Sequence, residues 1–317
     1  MRAHYRRRRA VRPQRCRGCP AQAGATNAPA ILAIALLVGI AASRADDGIG
    51  GAWPDKMDTE HLFGFTEGTT IGTPGEVEAE ADSTLRSGKR TGSFDTVASE
   101  LELKYTPFQY FRISGAATLA YYDVAQVPGL DDIERGTLQS ASLDARFRLL
   151  GRDTAPFGVT LSVEPHWGLM DETSGLRAGH FGTEILLRAD RELISDRVMG
   201  GANLLFANDR ARLLASEDVQ HESLLGAGFG VAAQALPALW IGAEIRYLRS
   251  YEGSTPDVFS GQAIYVGPTL YAQLGKQAWL SLAWNAQVFG AAVGDPRPLD
   301  LVNFERRQAN LRLGFDF

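Results

Sequence analysis

Residues 157–169 read FGVTLSVEPHWGL. Phe157, Val159, Leu161, Val163, Pro165, Trp167 and Leu169 take every second position, and Ser162, Glu164 and His166 stand among the residues between them. A period of two marks a strand with one apolar and one polar face. Aromatic rings bracket the apolar face, Phe157 at one end and Trp167 ten residues later. At about 3.4 Å per residue and a tilt near 45°, ten residues cover roughly 24 Å, close to the approximately 25 Å apolar band of a membrane barrel. The polar face invites a different thought, because a serine, an acid and a histidine are the parts of a hydrolytic triad. Along a strand, however, residues two apart are separated by about 7 Å, so Ser162 and His166 stand on the order of 13 Å apart. That is too far for direct proton transfer.

The same pattern recurs along the chain. Residues 110–124 present Phe111, Ile113, Gly115, Ala117, Leu119 and Tyr121 on one parity, again with rings ten residues apart. Phe181 and Tyr247 also fall near strand ends. Alternation and turn-rich breaks predict strands near 75–83, 93–105, 110–124, 134–150, 156–169, 179–191, 197–207, 220–234, 239–251, 259–274, 277–291 and 300–317. The connections alternate short and long, and an even strand count puts both termini on the short-turn side, as in barrels with tight periplasmic turns and longer external loops. Glycines alternate along 226–230 (Gly226, Gly228, Gly230), a row that is costly in a strand unless something approaches closely or the wall must bend.

The final residues, NLRLGFDF (310–317), place Ala309, Leu311, Leu313, Phe315 and the terminal Phe317 on one face. This resembles the C-terminal strand of Gram-negative outer-membrane β-barrels, and the resemblance extends in pattern over residues 75–317. It implies an all-β fold, a transmembrane antiparallel up-and-down barrel of about twelve strands, akin to the small porin- and transporter-like barrels. It also implies contact with outer-membrane lipids and lipopolysaccharide, and recognition of Phe317 by the barrel-assembly machinery. The expected membrane girdle is Phe111, Tyr121, Phe157, Trp167, Phe181, Tyr247, Phe315 and Phe317.

Charge is uneven over the 317 residues. Residues 1–45 hold nine arginines and no acid, leaving 23 basic and 37 acidic side chains in the rest, a net of −14. So acidic a body argues against a nucleic-acid partner. The basic stretch runs into the apolar Ala30–Ala42 and then Ser43-Arg44-Ala45, the form of a signal peptide cleaved after Ala45. The apolar run is 13 residues, short for a membrane-spanning helix. Both cysteines, Cys16 and Cys19, lie in this leader, so neither disulfides nor a thiol nucleophile are expected beyond it. Residues 46–74 alternate poorly and are expected to form a periplasmic or seam segment, with plugging of the barrel left open.

Strand parity assigns the inward face. It predicts a lumen lined by Glu78, Glu80, Glu100, Glu102, Arg112, Asp144, Arg146, Arg148, Glu164, His166, Glu184, Arg188, Glu244, Arg246, Arg306 and Arg312. Closure would set the acidic first strand beside Arg306 and Arg312, since opposite charges on facing positions favour a register. The histidines are isolated in sequence, with no H-x-x-x-H, so neither metal nor cofactor is expected. G-x-S-x-G is absent as well, and the chain is read as a non-enzyme. The expected function is passage of small polar or charged solutes through a narrow, mixed-charge lumen. Two alternatives stand beside it: a sealed structural or adhesin-like barrel acting through external loops, and an outer-membrane lipid hydrolase.

Overall fold

The computed structural model describes residues 58–214 and 219–317; the signal peptide expected at 1–45 lies outside them. The described residues form twelve strands and no helix. They are β1 (Val77–Ser87), β2 (Ser93–Phe108), β3 (Phe111–Ala125), β4 (Ile133–Leu150), β5 (Gly158–Met170) and β6 (Arg177–Ile194). The second half comprises β7 (Val198–Leu213), β8 (Val219–Leu236), β9 (Leu239–Glu252), β10 (Val258–Gln273), β11 (Ala278–Ala292) and β12 (Arg307–Asp316). Each strand pairs antiparallel with its sequence neighbour, and β1 pairs with β12, so the sheet closes without an edge. At the seam Asp82 faces Arg312, whose Nε donates to its carboxylate at 2.7 Å.

Burial is the reverse of a water-soluble sheet. Leu103, Leu119, Leu143, Leu204, Phe229 and Ile241 are exposed, whereas Lys104, Arg112, Arg146, Arg188 and Glu244 are buried. Apolar area on this scale, running around the whole outer wall, needs lipid to cover it. The barrel is of the outer-membrane type. Leu204, in the middle of β7, is 58% exposed. Replacing it with Arg sets a charge on the lipid face, and Leu204→Arg is expected to lower the folding free energy in phospholipid vesicles by about 2–4 kcal/mol. A denaturant titration checks this; an unchanged midpoint would mean that Leu204 does not face lipid.

The structure departs from strict parity in identifiable places. A register shift at Thr118/Leu119 against β4 buries Gln139 on one side of the bulge and Asp144 and Arg146 on the other. The last strand begins at Arg307 rather than near 300, and the first runs four residues past 83. Of the segment expected to be periplasmic or along the seam, residues 46–57 lie outside the described ones, Thr73 and Pro74 are exposed at the approach to β1, and residues 59–71 are in neither place. They fold inside the barrel, bonded to inward-facing side chains of β2, β3, β4, β6, β9, β11 and β12.

Candidate functional site

The inner segment is a short, tightly turned loop. Leu62 N donates to Thr59 O at 3.3 Å and Gly68 N to Glu60 O at 3.2 Å, while Phe63 bridges Thr66. The turn needs glycine at 64, where φ is +83° and a Cβ would lie 2.6 Å from that of Ala283. Two members of the wall's glycine row have the same origin, Gly228 and Gly230, whereas a Cβ at Gly226 would meet Leu205 and Leu248 of the wall itself. A Cβ at Gly230 would sit 2.6 Å from Phe63 Cβ, one at Gly201 2.7 Å from its ring, and one at Gly228 3.0 Å from Thr66 Oγ1. What approaches these strands so closely is the inserted segment.

Charge grips this segment at two points. Glu60 receives Arg112 through a fork, with Nη2 at 2.7 Å, together with Arg146 Nη1 at 2.8 Å and Lys104 Nζ at 3.4 Å. Glu67 receives Arg188 Nε at 2.8 Å and Nη2 at 2.7 Å, Arg146 Nη2 at 3.0 Å and Arg312 Nη2 at 3.3 Å. Buried cations are tolerated only when paired, and these two glutamates supply much of the pairing for five of them. Hydrogen bonds from uncharged donors complete the hold. Thr69 donates to Asp190 from N (2.9 Å) and Oγ1 (2.7 Å), Thr66 N donates to Glu244 at 2.8 Å, and Ser281 Oγ donates to His61 O at 2.8 Å. Leu62 and Phe63 join Met199, Ala232, Trp240, Tyr271 and Trp279 in an apolar cluster, with the His61 ring stacked on Trp279 at 3.8 Å.

Beside Glu67 lies a cavity of about 80 Å³, whose lining includes Glu100, Glu102, Glu164 and Glu184 from the wall. At the external end, Asp300, Leu301, Phe304 and Glu305 of the connection between β11 and β12 pack inward. Tyr265 Oη donates to Glu305 O at 2.5 Å, Gln287 Nε2 to Asp300 O at 3.0 Å, and Lys89 Nζ to Phe304 O at 3.1 Å and Glu305 Oε1 at 3.0 Å. Asp295, in this connection, accepts bonds from the Arg297 side chain and backbone N–H that hold its carboxyl down at about 2. Lys89→Ala is expected to loosen residues 293–306 and make them cleavable by external protease in intact vesicles, while the barrel core stays resistant. Unchanged protection would show that Lys89 does not secure the loop.

Of the residues expected in the lumen, Glu78, Glu80, Arg112, Asp144, Arg146, Arg188, Glu244 and Arg312 are buried in the interior. Glu100, Glu102, Glu164 and Glu184 are half-buried around the cavity. Arg246 lies 3.8 Å over the Phe65 ring, and Arg148 is half-buried beside the turn to β5. Arg306 departs from the expectation. It lies outside β12 and is exposed, while Glu305 is buried at the external mouth and bonded to Lys89. Parity fails there because residues 299–306 are a folded connection, not strand. On the outer wall, Phe157, Trp167, Phe181 and Phe317 are exposed; Phe111, Tyr121, Tyr247 and Phe315 are half-exposed. Phe111 meets Phe147 at 5.0 Å and Trp167 meets Phe181 at 5.9 Å between ring centroids.

Ser162 and His166 are not brought together. The Ser162 hydroxyl accepts from Arg188 Nη1 at 2.7 Å, and His166 turns to Asp209, 2.8 Å away. His180, isolated in sequence, reaches the same Asp209 oxygen at 3.0 Å. Antiparallel pairing of β5, β6 and β7 assembles these three, and no spacing in the chain announces them. Glu60 and Glu67 were equally silent, since their cationic partners lie 40 to more than 240 positions away.

A model of a family of unknown function (DUF6662) matches residues 55–317, and the chain belongs to that family. No curated protein matches. Among solved structures, the chain is similar to the COG4313 outer membrane channel from Pseudomonas putida F1. Identity is 10% and the TM-score 0.55, covering 78% of this chain and 98% of that one. It is also similar to the beta domain of the Bordetella autotransporter BrkA (14%, 0.49; 77% and 100%) and to the NanC porin (8%, 0.45; 75% and 98%). At such identities the likeness is one of fold.

Proposed function

We propose that this member of the family is an outer-membrane channel for small polar or charged solutes, held closed by its own N-terminal segment. The observation that supports this most directly is the pair of glutamates, Glu60 and Glu67, clasped by Lys104, Arg112, Arg146, Arg188 and Arg312. A wall built only to be filled would do so with apolar side chains, because a buried ion network is weak evidence for stability. A charged wall neutralised by a separable segment becomes a polar, mixed-charge lumen once that segment leaves. Twelve strands enclose less than the 16 to 18 of general porins, so the opened passage would be narrow. Export by the leader, assembly through the strand ending at Phe317, and residence among outer-membrane lipids and lipopolysaccharide belong to the same proposal.

One observation favours a sealed barrel working through its external loops. Leu62 and Phe63 are almost fully buried in the apolar cluster with Trp240 and Trp279, a hold that charge does not explain. Liposome swelling separates the two. Vesicles containing the chain with Glu60→Gln and Glu67→Gln are expected to admit small sugars and amino acids, with rates falling steeply with solute size. No swelling with any solute, from a chain shown to be folded, would favour the sealed barrel.

A further inference from the structure

The lumenal face of β5, β6 and β7 carries a second constellation, apart from the inserted segment. His166 Nε2 and His180 Nε2 converge on one oxygen of Asp209, at 2.8 and 3.0 Å, with ring centroids 5.2 Å apart. Their ligand atoms all lie within 4.8 Å of one another.

Two glycines make this convergence possible. Gly182 faces His166 on one side and Asp209 on the other. A Cβ there would lie 1.9 Å from Asp209 Oδ1 and 2.2 Å from His166 Nε2. Gly168 faces His180, and a Cβ at 168 would come within 2.8 Å of that side chain. The wall is bare where the three side chains meet.

We propose that His166, His180 and Asp209 form a binding site for a late first-row divalent cation of the zinc class. Two imidazole nitrogens and one carboxylate oxygen are a ligand set that suits zinc, copper or nickel rather than calcium or magnesium, which take oxygen. Bond lengths of about 2.0–2.2 Å put tetrahedral ligands roughly 3.3 Å apart, so the two histidine–carboxylate separations need to open by only a few tenths of an ångström. Asp209 retains 36% of its side-chain exposure and His166 17%, leaving a coordination position open to water or solute. His180 Nδ1 is buried without a hydrogen-bond partner among the described residues, so no bond there fixes the tautomer against metal binding at Nε2. The other histidine–carboxylate group, Glu60, His61 and Glu78, is already occupied by Lys104. Three protein ligands with an open position make this an accessible site in the lumen.

The test is calorimetric titration of zinc chloride into the untagged full chain in detergent, at about pH 7.5. Cys16 and Cys19 are replaced by Ser beforehand, because a C-x-x-C pair is itself a zinc ligand set. One zinc per chain is expected, with calcium chloride giving no binding heat. His166→Gln, His180→Gln and Asp209→Asn are each expected to weaken zinc binding by at least about 100-fold. His221→Gln, whose Nδ1 lies 3.0 Å from Ser254 Oγ, leaves it unchanged. Heat-modifiable electrophoretic mobility confirms that each variant is a folded barrel. Absence of zinc binding by the parent chain, or undiminished binding in a folded His166→Gln/His180→Gln double variant, would overturn the site and show a purely structural hydrogen-bond network.

Discussion

Replacing Glu60 and Glu67 together with Gln is expected to convert a silent barrel into a conducting one. The change is nearly isosteric, so shape and the hydrogen bonds from uncharged donors persist while two negative charges vanish. Lys104, Arg112 and Arg146 then surround an amide at 60, and Arg146, Arg188 and Arg312 surround another at 67. Removing one partner of a buried ion pair costs about 3–5 kcal/mol, because the other charge is left uncompensated. The two sites share Arg146, so their costs do not add. Even about 3 kcal/mol shifts the balance between inserted and released segment by roughly two orders of magnitude. The strand ladders are untouched, and the barrel should keep its heat-modifiable mobility. Planar-bilayer recording should show frequent openings; a folded double variant as quiet as the parent would mean that charge does not hold the segment in place.

Gly230→Leu should reach the same state by steric means. Gly230 is laddered to Gly201 on one side and Glu244 on the other, so its backbone has nowhere to retreat. A Cβ at this position lies 2.6 Å from that of Phe63, and the remaining leucine atoms project into the same space. Overpacking a filled interior commonly costs about 1–3 kcal/mol, and here the cheapest relief is departure of the loop. Phe63 would leave the cluster that contains Trp240 and Trp279, so the change should appear both as conductance and as altered tryptophan fluorescence. Gly179→Leu is the control: nothing lies within 4 Å of a Cβ there. Unaltered fluorescence and conductance in folded Gly230→Leu would contradict the placement of Phe63.

The wall was largely legible from the chain, because a strand's two faces are written locally. Phe157 to Trp167 announces a membrane-spanning stave, and the alternation through 310–317 announces its closing partner. The bulge at Gln139 was invisible, since it depends on how β4 lies against β3 rather than on its own composition. Arg306 was misplaced for a related reason: parity extends only as far as the strand does. The interior was much less legible. Thr59 to Ile71 have no period, since they are shaped by the cavity that receives them. Gly228 and Gly230 held the only hint, a demand for close approach whose occupant lay some 160 residues away. His166, His180 and Asp209 likewise acquire meaning only when three strands are set side by side.

The central claim is that residues 58–74 close the barrel. Single-channel recording tests it most directly by comparing the full chain with one lacking those residues, both first shown to be folded by heat-modifiable mobility. The full chain should give no sustained conductance, and the shortened chain discrete, stable steps of a narrow pore. Equal conductance from both, or silence from both, would contradict it.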